Sequence, residues 1–151
     1  MTQHAIPSEF NATMRKFGAP QTIIRSYDYW SVLLRPAQVT LGALVLAAHE
    51  PVTAFSQLSP ASFTELHDVT RDIETALSKA FHFDKINYLM LMMVDPDVHF
   101  HVLPRYAQPK SFAGLEFTDA GWPAVPHLGR VNATDTAINQ QIIEHLQSYW
   151  P

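Results

Sequence analysis

At 151 residues, 47% hydrophobic and 16% charged, the chain can bury one ordinary core and is too apolar to be disordered. Ten Lys plus Arg against fourteen Asp plus Glu give a formal charge of -4 with no basic run, which argues against duplex nucleic acid as a partner. A small anion held at one local site stays open, and the absence of cysteine excludes thiol catalysis, thiolate metal sites and disulfides.

The first segment, Met1 to Phe17, carries Glu9 and no uninterrupted apolar stretch, so a signal peptide is not expected. The longest apolar run, Tyr88 to Val94, is too short to cross a bilayer, and no membrane association is expected. The expectation is one domain over 1–151, soluble and cytoplasmic.

In chain order, Ser8 to Phe17 predicts a short amphipathic helix with Phe10, Met14 and Phe17 at helical spacing, ended by Gly18-Ala19-Pro20. Thr22 to Ser26 and Tyr29 to Arg35 predict two strands joined near Asp28, the second closed by Pro36. Ala43 to Ala48 predicts a third strand, buried on both faces. Ser59-Pro60 is a helix start, a capping hydroxyl before proline at the first helical position. Phe63, Leu66, Val69, Ile73, Leu77 and Ala80 then form one apolar stripe to about Phe81, with Asp68, Arg71, Asp72, Glu74 and Lys79 off it.

Two strands follow, Ile86 to Val94 and Val98 to Leu103, separated by the turn dipeptide Asp95-Pro96. Residues 107–131, rich in proline and glycine, predict an extended segment that Phe112, Leu115, Phe117 and Trp122 pack down. A last helix is expected from about Thr134 to Tyr149, with Ile138, Ile142, Leu146 and Trp150 on one face. The sum is an α+β domain with a mainly antiparallel sheet, one long helix and a C-terminal helix.

Strand alternation sends Val98, Phe100 and Val102 into the core and Asp97, His99, His101 and Leu103 the other way. Three readings of that polar face follow from the residues. The histidines are ordinary polar-face residues; or they supply two metal ligands with Asp97 as a third; or one imidazole attacks phosphorus while the other donates to a phosphate oxygen. The remaining histidines, His4, His49, His67, His82, His127 and His145, are scattered singles, and His67 and His145 are expected to be solvated on helices.

The segment from Asp97 to Arg105 resembles the histidine-triad (HIT) family motif, His-φ-His-φ-His-φ-φ followed by Pro-Arg, where φ is apolar. Trp30 to Leu46 is similar to that family's strand, glycine turn and next strand, and Phe55 to Pro60 to the entry of its long helix. Phe112 to Phe117 and Gly121-Trp122-Pro123 resemble a bacterial and fungal branch. The resemblance implies a HIT-like fold and a nucleotidyl hydrolase or transferase. Its substrates would be dinucleoside polyphosphates or nucleotide phosphoramidates and related esters. It implies that His99 attacks the α-phosphorus to give a nucleotidyl-histidine intermediate, that His101 contacts phosphate oxygens, that no metal or other cofactor is required, and that the protein is a homodimer.

Three departures stand out. Asp97 occupies the place of the first motif histidine, where a carboxylate either repels phosphate by several tenths to a few kcal/mol or orients an imidazole. Gly42 is followed by Ala43, where the family often has histidine. Met92-Met93-Val94-Asp95-Pro96 stands where the family carries a glycine-rich loop that covers the phosphates.

Secondary candidates are Arg105, as a phosphate contact or a surface cap on the strand end; Arg35, as a ligand contact near the nucleoside pocket or a solvated edge; and Tyr27, Tyr29 and Trp30, as a base pocket or core. Met90, Met92 and Met93 read as adaptable core packing.

Overall fold

The computed structural model describes residues 10–151. Five strands, β1 (Ile23–Ser26), β2 (Trp30–Leu34), β3 (Leu44–Ala48), β4 (Lys85–Leu89) and β5 (His99–Arg105), form one antiparallel sheet in the order β1-β2-β3-β5-β4. The expected α+β architecture with a long helix and a C-terminal helix is what the chain adopts.

One face of the sheet carries Trp30, Val32, Leu34, Leu44, Leu46, Val98 and Val102. Against it pack α2 (Pro60–Phe81), through Val69, Ile73, Ala76 and Leu77, and α3 (Thr136–Tyr149), through Ile142 and Leu146. The bounds of α2 are those the sequence predicts. Ser59 Oγ accepts from Ser62 N–H at its start, Pro60 follows, and His82 in the left-handed region stops it. Asp135 caps α3 in the same way, accepting from Ile138 N–H.

Asp72 lies off the apolar stripe as expected, yet it is buried. It is 1% exposed and accepts from the Tyr27 hydroxyl at 2.8 Å, while Trp150 Nε1 donates to that same hydroxyl at 2.8 Å. The network ties β1, α2 and the end of α3 together, so a buried carboxylate is satisfied by hydrogen bonds. His145 is likewise part-buried, its ring 5.4 Å from Phe81 and 5.3 Å from Phe112, and not solvated as expected.

The opposite face of the sheet carries Leu33, Val45, Ala47 and Leu103 and is covered over part of its area by α1 (Ala12–Lys16) through Met14, with Phe17 beside it. Asn11 caps α1, accepting from Met14 N–H; Ser8 and Glu9, the predicted start of this helix, lie outside the described residues. The β2–β3 turn depends on Gly42, whose φ is +85° and whose added Cβ would stand 2.9 Å from Leu77 of α2.

Three other expectations change. The strand predicted over Ile86 to Val94 ends at Leu89, and Met92 takes a positive φ of 49° in the loop that follows. Within the methionine group Met90 and Met92 pack partly on the core, but Met93 is 88% exposed. Residues 107–131 include a hairpin of β6 (Lys110–Phe112) and β7 (Leu115–Phe117), turned at Ala113-Gly114, both at positive φ.

Candidate functional site

Register decides which residues can meet. On the α1 side of the sheet His99 pairs with Ala47 and Ala47 with Ser31; His101 pairs with Val45 and Val45 with Leu33. Arg35, two residues beyond Leu33, continues that face, and its N–H donates to Ala43 O at 2.9 Å. Small Ala47 and Val45 between the long residues leave room above the sheet. A cavity of about 250 Å³ opens there, lined by His99, His101, Arg35, Lys16, Phe17, Asp95 and the loop 91–94.

The two imidazoles lie with ring centroids 5.3 Å apart and nearly perpendicular, at 80°. His99 is 2% exposed, and its Nδ1 is 2.7 Å from the main-chain carbonyl of Asp97. A carbonyl can only accept, so Nδ1 carries the proton and Nε2 holds the lone pair. Among the described residues Nε2 has no hydrogen-bond partner.

His101 is 8% exposed, and its Nδ1 is buried without a partner. Burial first, then the Arg35 guanidinium and His99, lower its pKa to about 4, with Asp95 opposing. It is therefore neutral near pH 7. The Phe17 ring stands edge-on to it, centroid to centroid 5.7 Å, and closes one side of the cavity.

Asp97 is present at this place but its carboxylate is turned to α1: Thr13 Oγ1 donates to Asp97 Oδ2 at 3.1 Å. Its backbone, not its side chain, orients an imidazole. Lys16 Nζ lies 2.7 Å from Asp95 Oδ2, so a second contact fixes α1 to the same loop.

Two sequence candidates are not brought to the cavity. Trp30 is 0% exposed on the helix-covered face, with Nε1 donating to Ser62 O; its alternative reading as core is the one the structure supports. Arg105 is 4% exposed, so it is not a surface cap, and it does not line the histidine cavity. Its Nε and Nη2 donate to the two oxygens of Asp119 at 2.7 and 3.1 Å, Nη1 to Asn87 Oδ1 at 2.8 Å, and Nη2 also to Ala124 O at 2.9 Å. Four of its five N–H groups are bonded to protein, and they hold the 119–124 segment against β4 and β5. Tyr27 is spent in the Asp72 network.

The residues missed by sequence reasoning are Lys16, Phe17, Thr13 and Asp95. Thr13, Lys16 and Phe17 lie some eighty residues from the histidines, and nothing local in the sequence announces that α1 folds over β5. Among the described residues no group of three His, Cys, Asp or Glu side chains is placed to hold a metal ion, and no helix is long and apolar enough to cross a membrane.

The chemistry on offer is a nucleophilic nitrogen with a fixed tautomer, a neutral imidazole beside it and a guanidinium on the same wall. Comparison with known proteins gives the family and the fold. The family model described as HIT domain matches residues 18–108. Among solved structures the chain is similar to a histidine triad protein from Bradyrhizobium japonicum, at 19% identity over 95% of this chain and 98% of that one, with a TM-score of 0.73. It is similar at 17% identity to a histidine triad protein from Sinorhizobium meliloti, over 93% and 96% of the two chains, also with a TM-score of 0.73. A hypothetical histidine triad nucleotide-binding protein from Sulfolobus tokodaii matches at 16% identity over 84% of each chain, with a TM-score of 0.60. At such identities these likenesses establish the fold. No curated protein matches the chain.

Proposed function

The chain belongs to the HIT domain family, and from that premise we propose that it is a nucleotide-processing hydrolase or transferase. Its substrates on this reading are dinucleoside polyphosphates or nucleotide phosphoramidates and esters. The observation that carries the reading is the state of His99: Nδ1–H is held by the Asp97 carbonyl, so the lone pair on Nε2 is free at the wall of the cavity.

In the proposed reaction His99 Nε2 attacks the α-phosphorus. A phosphorus–nitrogen bond forms as the bond to the leaving group breaks, and the leaving atom keeps the electron pair and takes up a proton. Water then attacks phosphorus, its proton is released, and the nucleoside monophosphate leaves with His99 restored; in a transferase an acceptor hydroxyl replaces water. Neutral His101, 5.3 Å away, donates to a non-bridging oxygen as charge develops on it. Asp97 acts through its carbonyl as a positioning residue. Arg35 is the substrate contact on the cavity wall; Trp30 and Arg105 have no part in it.

A specific observation favours a second reading, a nucleotide-binding protein without turnover. The loop beside the histidines is the apolar Leu91-Met92-Met93-Val94, which offers few groups to assist a leaving phosphate. Incubation with labelled dinucleoside polyphosphates and adenylyl phosphoramidates, with and without chelator and beside His99→Ala, separates the two. Turnover that survives chelator and vanishes in the variant supports the enzyme; saturable binding without turnover supports the binding protein.

A homodimer is part of the proposal. β4 is a terminal strand of the sheet, flanked by a groove of about 890 Å³ against residues 122–126, on which Val125 is exposed. Sedimentation velocity should find two chains per particle, and a single chain at micromolar concentration refutes it.

A further inference from the structure

One charge at the cavity has no carboxylate partner among the described residues. Arg35 follows β2, is only partly exposed, and is not within ion-pair distance of any carboxylate among the described residues. A guanidinium has five N–H donors. One is used locally, Nη1 to Ala37 O at 2.7 Å, and Nε is buried with no partner at all. The other cation on the wall, Lys16, is already neutralised by Asp95. Among the described residues the cavity therefore carries one positive charge without a carboxylate partner, on a wall it shares with His101, whose Nδ1 is unpartnered.

The surroundings hold that charge in place. Gln38 is 0% exposed; its Nε2 donates to the carbonyls of Arg35 and Ala43 at 2.7 and 3.0 Å, and its Oε1 accepts from Gly42 N–H at 2.8 Å. Arg35 N–H donates to Ala43 O. The backbone beneath the guanidinium is thus tied from both sides, so little conformational freedom is left to lose when a ligand arrives.

We propose that Arg35 is a phosphate-oxygen clamp, and that the site selects its ligand by one anionic phosphoryl group placed between Arg35 and His101. The resemblance to the HIT family implies only a place for Arg35 near the nucleoside pocket or a solvated edge. A ribose hydroxyl or a base edge would leave the half-buried cation uncompensated, whereas a phosphate oxygen removes that deficit and accepts a charge-assisted, bidentate hydrogen bond. His101 fits the same arrangement. Arg35 is the second contributor, after burial, to its lowered pKa, alongside His99 and Lys16, with Asp95 acting the other way. An anion seated between the two answers Arg35 and lets His101 keep a proton at higher pH.

The proposal rests on the phosphoryl reading of this cavity but is tested apart from turnover. Calorimetric titration of the full chain with AMP, inorganic phosphate and adenosine is repeated for Arg35→Gln and Arg35→Lys, each checked for folding by circular dichroism. The expected result is at least tenfold weaker binding of AMP and inorganic phosphate to Arg35→Gln, adenosine unchanged within twofold, and partial recovery in Arg35→Lys. In parallel, phosphate should shift the Arg35 Nε–H resonance of the unaltered protein and raise the titration midpoint of His101, an effect absent in Arg35→Gln. The resonance shift serves alone should the glutamine variant fail to fold.

Equal loss of AMP and adenosine makes Arg35 a nucleoside contact and overturns the clamp. No loss of either makes it a strand-end residue, and failure of the unaltered protein to bind AMP or phosphate overturns it as well. Phosphate binding that needs Arg35, without any turnover, keeps the clamp and removes the enzyme. Turnover indifferent to Arg35 does the reverse.

Discussion

Replacing Arg105 by methionine tests whether a residue of a recognised motif serves chemistry or the fold. The substitution removes four hydrogen bonds, two of them to Asp119, whose side chain is 1% exposed. Asp119 would keep only the N–H groups of Tyr106 at 3.1 Å and Gly121 at 3.3 Å. Breaking a buried pair from one side costs about 3–5 kcal/mol, because the remaining charge is stranded. With a urea slope on the order of 2 kcal/mol/M, the unfolding midpoint falls by about 1.5–2.5 M. Arg105→Met combined with Asp119→Leu should recover a good part of that loss, since an apolar pair of similar volume leaves no stranded charge. Urea titration followed by circular dichroism gives the stabilities, and calorimetry at low temperature gives nucleotide affinity on folded protein. A loss below about 1 kcal/mol accompanied by abolished nucleotide binding would refute the reasoning and return Arg105 to the ligand.

Three further outcomes are expected. The pKa of His101, about 4 in the folded chain against 6.5 unfolded, means that between those values the unfolded chain binds a proton the native one refuses. Stability is then unaffected above pH 6.5, falls as the pH drops toward 4 and levels below, by at most about 3 kcal/mol and on the order of half that after screening at the cavity mouth; His101→Gln should flatten this part of a urea midpoint series. Thr13→Val should cost about 1 kcal/mol and Asp97→Asn less than about half that, because asparagine still accepts from Thr13; additive losses in the Thr13→Val, Asp97→Ala double variant would show the bond counts for nothing. Gly42→Ala should lower stability by about 1–3 kcal/mol through positive φ and the approach of Leu77, and an unchanged melting temperature would contradict that packing.

Much of the fold is legible because local signals agree with one another. Ser59-Pro60 and a sustained helical period mark the start of α2 and its approximate end, and alternation around His99 and His101 assigns the faces of β5 correctly. Periodicity cannot say where an apolar strand stops, so the run through Val94 hides the break after Leu89. It also cannot say which face of β2 meets the histidines. Trp30 and Arg35 stand five residues apart on opposite faces, and only the β2–β3–β5 register shows that Arg35 is the one on the histidine side. The burial of Asp72 and Arg105 is invisible to periodicity, because a charged residue can be buried only against a partner, here Tyr27 or Asp119, that the sequence does not pair with it.

Met93, 88% exposed on the rim of the histidine cavity, gives the protein a convenient handle. The chain contains no cysteine, so Met93→Cys introduces the one thiol available for a fluorophore or spin label. The label would sit at the mouth of the cavity without displacing any side chain from the core. Occupancy of the cavity would become an optical signal, so the nucleotide association proposed above could be followed in real time on chemically unmodified ligands.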